Sequence, residues 1–168
     1  MKHDHDDHPG QAYLRFALMI SASTLVMFGL MYLNTWELAH VHFSQTRAWM
    51  ALYMGGAMAL VMLGFMLHMY RDRRRNLVVV AVAAIAVILG VLMVRSQASV
   101  DQIAWMRAMI PHHSIAILTS RRADIDDPRV RALADSIIEA QTREIAEMEA
   151  LIRDLQGGPK ATPEIDGK

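Results

Sequence analysis

Three long apolar runs fill most of the first half of the chain. They cover about residues 16–33, 48–70 and 77–94, and none has an acidic or basic residue in its interior. A helix needs roughly 17–25 such residues to cross the hydrocarbon core of a membrane. The pattern therefore predicts a transmembrane region at 13–95 with three spans. No clear small-residue cleavage site follows the first run, so we expect a retained helix and not a signal peptide.

Positive charge predicts the orientation of these spans. The short loop 71–75 contains four arginines, and such loops stay on the cytoplasmic side. We therefore expect a protein of the bacterial inner membrane with a cytoplasmic N-terminus, whose chain after Arg95 lies outside, in the periplasm. Aromatic residues at the run ends fit the role of interface anchors: Tyr13, Tyr32, Trp36, Trp49 and Tyr70.

Small residues recur at helical spacing in the second and third runs. Such faces let membrane helices approach closely, so they predict a packed bundle, within one chain or between chains. The positions are Ala51, Gly55 and Ala59 in the second run, and Ala86 and Gly90 in the third.

Beyond Arg95 the pattern becomes amphipathic, with apolar residues every three or four positions over about 99–123 and 128–156. Asp127 can cap the second of these segments while Pro128 takes its first helical position. The prediction is an all-α chain: three transmembrane helices and then an extramembrane antiparallel hairpin at 96–157, with a disordered tail at 158–168. Because two such helices bury little core alone, we expect a homo-oligomer, most simply a dimer that completes a four-helix bundle.

Composition narrows the chemistry. The net charge is +0, so nothing global indicates a nucleic-acid partner, and the absence of cysteine excludes disulfides and thiolate metal sites. Methionine is abundant, with 14 residues beside 8 histidines. The His- and Asp-rich segment 1–12 could collect divalent metal ions loosely, but a solvated tail is the favoured interpretation.

One group of residues has the composition of a soft metal site. The first hairpin segment contributes two thioethers and two imidazoles at helical spacing, and the second contributes an amide, a carboxylate and a thioether that could face them. Such donors suit Cu(I) or Ag(I). The alternative is that the methionines fill the core and the histidines are ordinary polar residues. The residues are Met106, Met109, His112 and His113, then Gln141, Glu144 and Met148.

At these residues the sequence resembles a known family. Segment 101–117, DQIAWMRAMIPHHSIAI, and segment 133–148, LADSIIEAQTREIAEM, resemble the signature of the domain of unknown function 305 family. The resemblance implies a ferritin-like helical domain, copper binding linked to copper resistance, and a membrane-anchored subgroup. Carried over by position, it nominates Met109, His112, His113 and Met148 as ligands. Additional ligands, or groups that orient the imidazoles, would be Asp101, Met106, Gln141 and Glu144.

These patterns predict a membrane-tethered binding protein that sequesters or hands over Cu(I) outside the cytoplasm. A copper transporter or a periplasmic copper protein would be a suitable partner beside membrane lipid. The alternative is a structural or adaptor subunit whose hairpin docks a partner complex. We expect no enzyme, because the paired Glu-x-x-His motifs of a di-iron site, nucleophile triads, phosphate loops and hydrolytic zinc motifs are all missing from the sequence.

Two further sets of residues could be interpreted as metal ligands, but helical geometry argues against the first set and position in the chain against the second. Methionine occurs at every fourth position from 50 to 66, but each step of four overshoots a helical turn by about 40°, so the sulfurs wind through roughly 160°. We therefore expect packing or lipid contact and not a track for a soft ion. His40 and His42 lie in the outside loop, where hydrogen bonding is the more common role.

Overall fold

The computed structural model describes residues 9–161, and this part of the chain contains helices and no strand. The sequence prediction of an all-α chain is confirmed for these residues. A short 3-10 turn at Leu38–His40 separates the first two helices. The five helices are α1 (Pro9–Leu30), α2 (Gln45–Phe65), α3 (Arg73–Ser96), α4 (Gln102–Arg122) and α5 (Pro128–Leu155).

The helices form two compact units. The span unit contains α1, α2 and α3. The second unit combines Met31–Gln45 with the described chain from Ser99 onward, which includes α4 and α5. The segment between α1 and α2 is thus part of the same unit as the candidate site. We refer to Met31–Gln45 below as the connecting loop.

The span unit contains three helices that are long and apolar enough to cross a membrane, as the sequence predicted: Gly10–Leu30, Gln45–Phe65 and Arg73–Ser96. The second of them ends at Phe65, before the predicted 70, because the chain turns to bury Tyr70. The Tyr70 ring packs edge-on against Tyr13 and Phe16, with ring centroids 5.1 and 5.3 Å away.

Glycine brings α2 and α3 into close contact within one chain. A Cβ at Gly56 would lie only 2.8 Å from the Ala83 carbonyl oxygen. A Cβ at Gly90 would lie 2.9 Å from the carbonyl oxygen of Trp49. Gly90, one of the predicted small residues, therefore lies at an intrachain interface, where the missing side chain lets the two backbones approach. The predicted Gly55 faces Thr24 of α1 instead, and its neighbour Gly56, which was not predicted, faces α3.

The ends of α4 and α5 follow their capping residues. The Asp101 carboxylate accepts a hydrogen bond from the Ala104 backbone N–H at 2.7 Å, and Asp127 caps α5 through the N–H of Arg129. Pro128 is the first residue of α5, as predicted. At the other end Gly157 has φ 87°, and Gly158 donates back to the carbonyl of Arg153 at 2.9 Å, which closes the helix in a Schellman motif.

The helices α4 and α5 pack against each other along a shared apolar seam. Two polar contacts also join the helices: the Arg131 guanidinium donates to the Ser120 carbonyl, and His113 contacts Glu144. Trp36 of the connecting loop packs against the seam as well. The buried members of this cluster are Met106, Ile110, Ile117, Ile145, Met148 and Ile152.

Candidate functional site

The predicted residues of α4 and α5 meet in one place. Nε2 of His113 lies 2.7 Å from Oε2 of Glu144, so the two helices are joined by a charged or charge-assisted hydrogen bond. Gln141, one turn earlier on α5, donates to the same oxygen at a longer 3.5 Å. Glu144 therefore faces the histidine motif directly, whereas Gln141 is joined to it only through Glu144.

Both ring nitrogens of His113 face oxygen acceptors. Nδ1 lies 3.1 Å from the Met109 backbone carbonyl, while Nε2 faces the Glu144 carboxylate. A carbonyl and a carboxylate only accept hydrogen bonds, so each nitrogen is placed to donate. In this conformation His113 has no lone pair directed at open space.

The methionines of the motif lie on the apolar side of the same region. Met106 and Met148 are members of the buried cluster between α4 and α5. Met109 is half-buried and packs against that cluster. The three thioethers thus lie along the seam as part of its apolar packing.

His112 is separated from this group by the geometry of the helix. Its side chain is exposed, and its ring centroid is 6.2 Å from that of His113 at an interplanar angle of 63°. Neighbouring helical positions point about 100° apart, so one faces Glu144 while the other faces solvent. Asp101 caps α4 and makes no described hydrogen bond to either histidine.

The sequence analysis assigned no role to Pro111, although this residue is part of the motif. Pro111 lies inside α4, directly before the two histidines, and its side chain is fully buried. Proline has no N–H, so the carbonyl of Arg107 loses its helical hydrogen bond one turn earlier. The helix is therefore locally weakened on the N-terminal side of the histidines.

Ser114 was missed too, and it connects the histidine motif to the connecting loop. This residue is 0% exposed. Its Oγ accepts a hydrogen bond from the Trp36 backbone N–H at 2.7 Å and lies 2.9 Å from Nδ1 of His40. The Arg121 guanidinium stacks 4.7 Å over the Trp36 ring. Trp36 thus joins the connecting loop to α4, and its role as a membrane-interface anchor stays a prediction.

His42 is half-buried on the same loop, near Glu149, Arg107 and His40. Burial lowers its pKa below the ordinary value of 6.5; Glu149 opposes this shift, whereas Arg107 and His40 add to it. Its Nε2 is buried without a hydrogen-bond partner. Across residues 9–161, no three His, Asp or Glu side chains converge as a metal-ligand group.

Two further sets of residues had metal binding only as the less favoured interpretation: the methionines at positions 50 to 66 and the histidines of segment 1–12. Met62 of α2 and Met66, just beyond the end of this helix, pack against the core of the span unit, as expected for packing residues. The histidines of segment 1–12, at positions 3, 5 and 8, lie outside the described residues.

Comparison with known proteins identifies relatives of the chain. Residues 94–164, which include α4 and α5, match the family described as domain of unknown function 305. A protein of Acanthamoeba polyphaga mimivirus, described as uncharacterized, is 31% identical over 145 residues. That alignment covers 83% of this chain and 93% of the relative. No solved structure shows a significant match.

Proposed function

The chain belongs to the domain of unknown function 305 family, and from this premise we propose that it is a membrane-tethered binding protein for a soft metal ion. The ion is Cu(I), with Ag(I) as its surrogate. Met109, His113 and Met148 are the ligands between α4 and α5, and His112 is a ligand at the surface. The protein sequesters the ion or hands it over, and we assign it no catalytic role.

One observation supports this proposal above the others: α4 and α5 bring the two halves of the motif together. His113 and Glu144 are in contact at 2.7 Å, and Met109 and Met148 belong to one apolar cluster. Thioethers and imidazoles are donors that a soft cation prefers. Because no three His, Asp or Glu side chains converge within the described chain, an ion held here would need the methionine sulfurs.

The arrangement also indicates what binding requires of the protein. Nε2 of His113 becomes available only when the Glu144 carboxylate turns away. Glu144 can do so, because its side chain is 46% exposed and water can solvate the released charge. The imidazole must then carry no proton on the binding nitrogen, so the site loses its metal on acidification.

Location and assembly are part of the same proposal. The arginine-rich loop 71–75 favours a membrane with this loop inside the cytoplasm and with α4 and α5 outside, which is the periplasm for a bacterial inner membrane. A periplasm-active reporter fused after Lys168 should be active, and a silent one would contradict this orientation. A second copy of the chain would complete a ferritin-like four-helix bundle, and a copper transporter or a periplasmic copper protein would receive the ion.

The alternative function is a structural or adaptor subunit without metal. It is favoured by the burial of Met106 and Met148, which packing of the core is sufficient to explain, and by the hydrogen bond between His113 and Glu144. In that case the α4–α5 pair is a docking element whose motif only holds the two helices together.

A Cu(I) titration separates the two functions. The full chain, in detergent and under reducing conditions, competes with a Cu(I) chelator, as wild type and as Met109→Leu/Met148→Leu. Leucine keeps volume and apolarity, so the fold should lose about 1 kcal/mol or less per site. We expect the affinity for Cu(I) to fall by at least about tenfold. Loss of a residue that only orients a ligand already lowers metal affinity by about that factor. Single His112→Gln and His113→Gln variants show which imidazole binds.

The matched control is Met54→Leu/Met58→Leu, which removes two half-buried sulfurs from α2. It should bind Cu(I) like wild type. If Met109→Leu/Met148→Leu keeps its helicity and its Cu(I) affinity, the proposed site is wrong and the adaptor function is the better one.

A further inference from the structure

The connecting loop has the reverse of the usual polar pattern. Between residues 40 and 44 the polar side chains of His40, His42 and Ser44 turn toward the protein, with Ser44 only 1% exposed. The apolar side chains of Val41 and Phe43 turn outward, and Phe43 is 64% exposed. A loop in water would be expected to show the opposite alternation.

The outward apolar surface extends beyond these two residues. Leu38 in the 3-10 turn is 91% exposed, and Leu33 near the start of the loop is 77% exposed. Burial of one such side chain is worth about 1.5–3 kcal/mol, so four of them on one short loop are costly in water. We call Leu33, Leu38, Val41 and Phe43 the outer face of the loop.

Hydrogen bonds on the other side fix this orientation. Ser114 of α4 accepts from the Trp36 N–H at 2.7 Å and lies 2.9 Å from His40 Nδ1. The Ser44 N–H donates to the Tyr32 hydroxyl at 3.0 Å. Turning the outer face inward would break these contacts and leave buried polar groups without partners, at about 1–3 kcal/mol each.

Chain connectivity sets the surroundings of the outer face. The loop follows Leu30 at the end of α1 and leads into α2 at Gln45. Both helices are long and apolar enough to cross a membrane. The loop therefore begins and ends at the level where two spans leave the hydrocarbon core, and the nearest apolar phase is the lipid itself.

We propose that the outer face of the connecting loop inserts into the boundary between lipid headgroups and acyl chains of the membrane that holds α1 and α2. Side chains of this kind bind membranes by burying apolar area a few ångströms below the headgroups. The loop then has two partners: lipid on its outer face, and α4, through Ser114, on its inner face. This interaction does not depend on metal binding.

The absence of cysteine from the sequence allows a direct test. Leu38→Cys carries an environment-sensitive fluorophore in the full chain, reconstituted in phospholipid vesicles with or without nitroxide groups high on the acyl chains. The matched control is Leu133→Cys on α5, where the native leucine is 60% exposed. We expect the label at 38 to emit at shorter wavelength and to be quenched by lipid nitroxides several-fold more strongly than the label at 133.

Two results would overturn the inference. The label at 38 could be quenched by water-soluble iodide as readily as the label at 133, which would place the outer face in water. It could instead be shielded from both iodide and lipid nitroxides, which would show that protein, such as a second copy of the chain, covers it. Val41→Cys repeats the test with Leu38 in place, so a failure caused by loss of Leu38 would be recognised.

Discussion

In the span unit, α2 and α3 approach each other through glycine and alanine, whereas α4 and α5 approach through isoleucine and methionine. Gly56 and Gly90 let α2 and α3 come close enough for backbone contact. The seam between α4 and α5 is filled instead by larger side chains such as Ile110 and Met148. Large apolar residues of the spans, such as Leu77 and Ile85, point outward.

The difference fits spans that meet lipid and an α4–α5 pair that meets water. Lipid is as apolar as leucine, so burying large side chains between spans gains little and close packing decides which faces meet. In water, burial of isoleucine and methionine is itself favourable. The connecting loop shares a unit with α4 and α5 but displays its apolar residues outward, as the spans do, which supports the proposed insertion of its outer face into lipid.

The largest effect is expected from filling the glycine contact of the span unit. Gly56→Ala places a Cβ 2.8 Å from the Ala83 carbonyl oxygen and 3.0 Å from Val87. Backbone cannot yield as a flexible side chain does, so α2 and α3 must separate. We expect a loss of about 1–3 kcal/mol, measured as unfolding of the full chain by SDS titration in detergent and followed by circular dichroism.

Gly64→Ala is the matched control, because Gly64 lies in the same helix and a Cβ there meets nothing within 4 Å. Alanine favours helix by about 0.5–1 kcal/mol over glycine, so this variant should be neutral or slightly stabilised. Equal destabilisation of both variants would show that the glycine contact does not hold the spans together.

A local effect is expected in the second unit when Ser114 is replaced. Ser114→Ala leaves the Trp36 N–H without its acceptor and removes the partner of His40 Nδ1. An unsatisfied buried donor costs about 1–3 kcal/mol, but the loop can relieve part of this by detaching from α4. Hydrogen exchange should show faster exchange of the Trp36 amide.

Ser136→Ala provides the comparison. The Ser136 hydroxyl is exposed on α5 and donates only to the Leu133 carbonyl within its own helix. Exchange in the connecting loop should not change in this variant. Unchanged protection of Trp36 in Ser114→Ala would mean that the loop is held without Ser114.

The elements that sequence predicts well are those decided by local rules. Apolar run length gave three candidate spans, and Asp127 with Pro128 marked the start of α5 where the structure has it. The sequence also predicted that the two motifs could face each other. Helical spacing places His113 and Glu144 on faces that meet when α4 and α5 pack as an antiparallel pair. Local rules did not predict the end of α2, because the chain turns there to pack Tyr70 against α1.

The connecting loop shows what the sequence could not reveal. Nothing near Trp36 or His40 predicts that both meet Ser114, a residue 74 to 78 positions away. The sequence predicted that His112 and His113 point in different directions, because adjacent helical positions do. It did not predict which of them pairs with Glu144, since the packing of α5 determines that. The ferritin-like arrangement and the metal ligands stay predictions.

The smallest effect is expected from pH, through His42. Burial lowers its pKa below 6.5 in the folded chain, while the unfolded chain regains the ordinary value. Between the two values the unfolded state binds more protons, so this contribution to stability is complete above about pH 6.5 and is lost as the pH falls through the folded pKa.

His42→Asn should flatten the decline in melting temperature of the full chain between about pH 7.5 and 5. Because Glu149 raises the pKa of His42, Glu149→Gln should instead steepen it. Identical slopes in all three proteins would show that the buried imidazole does not couple the connecting loop to pH.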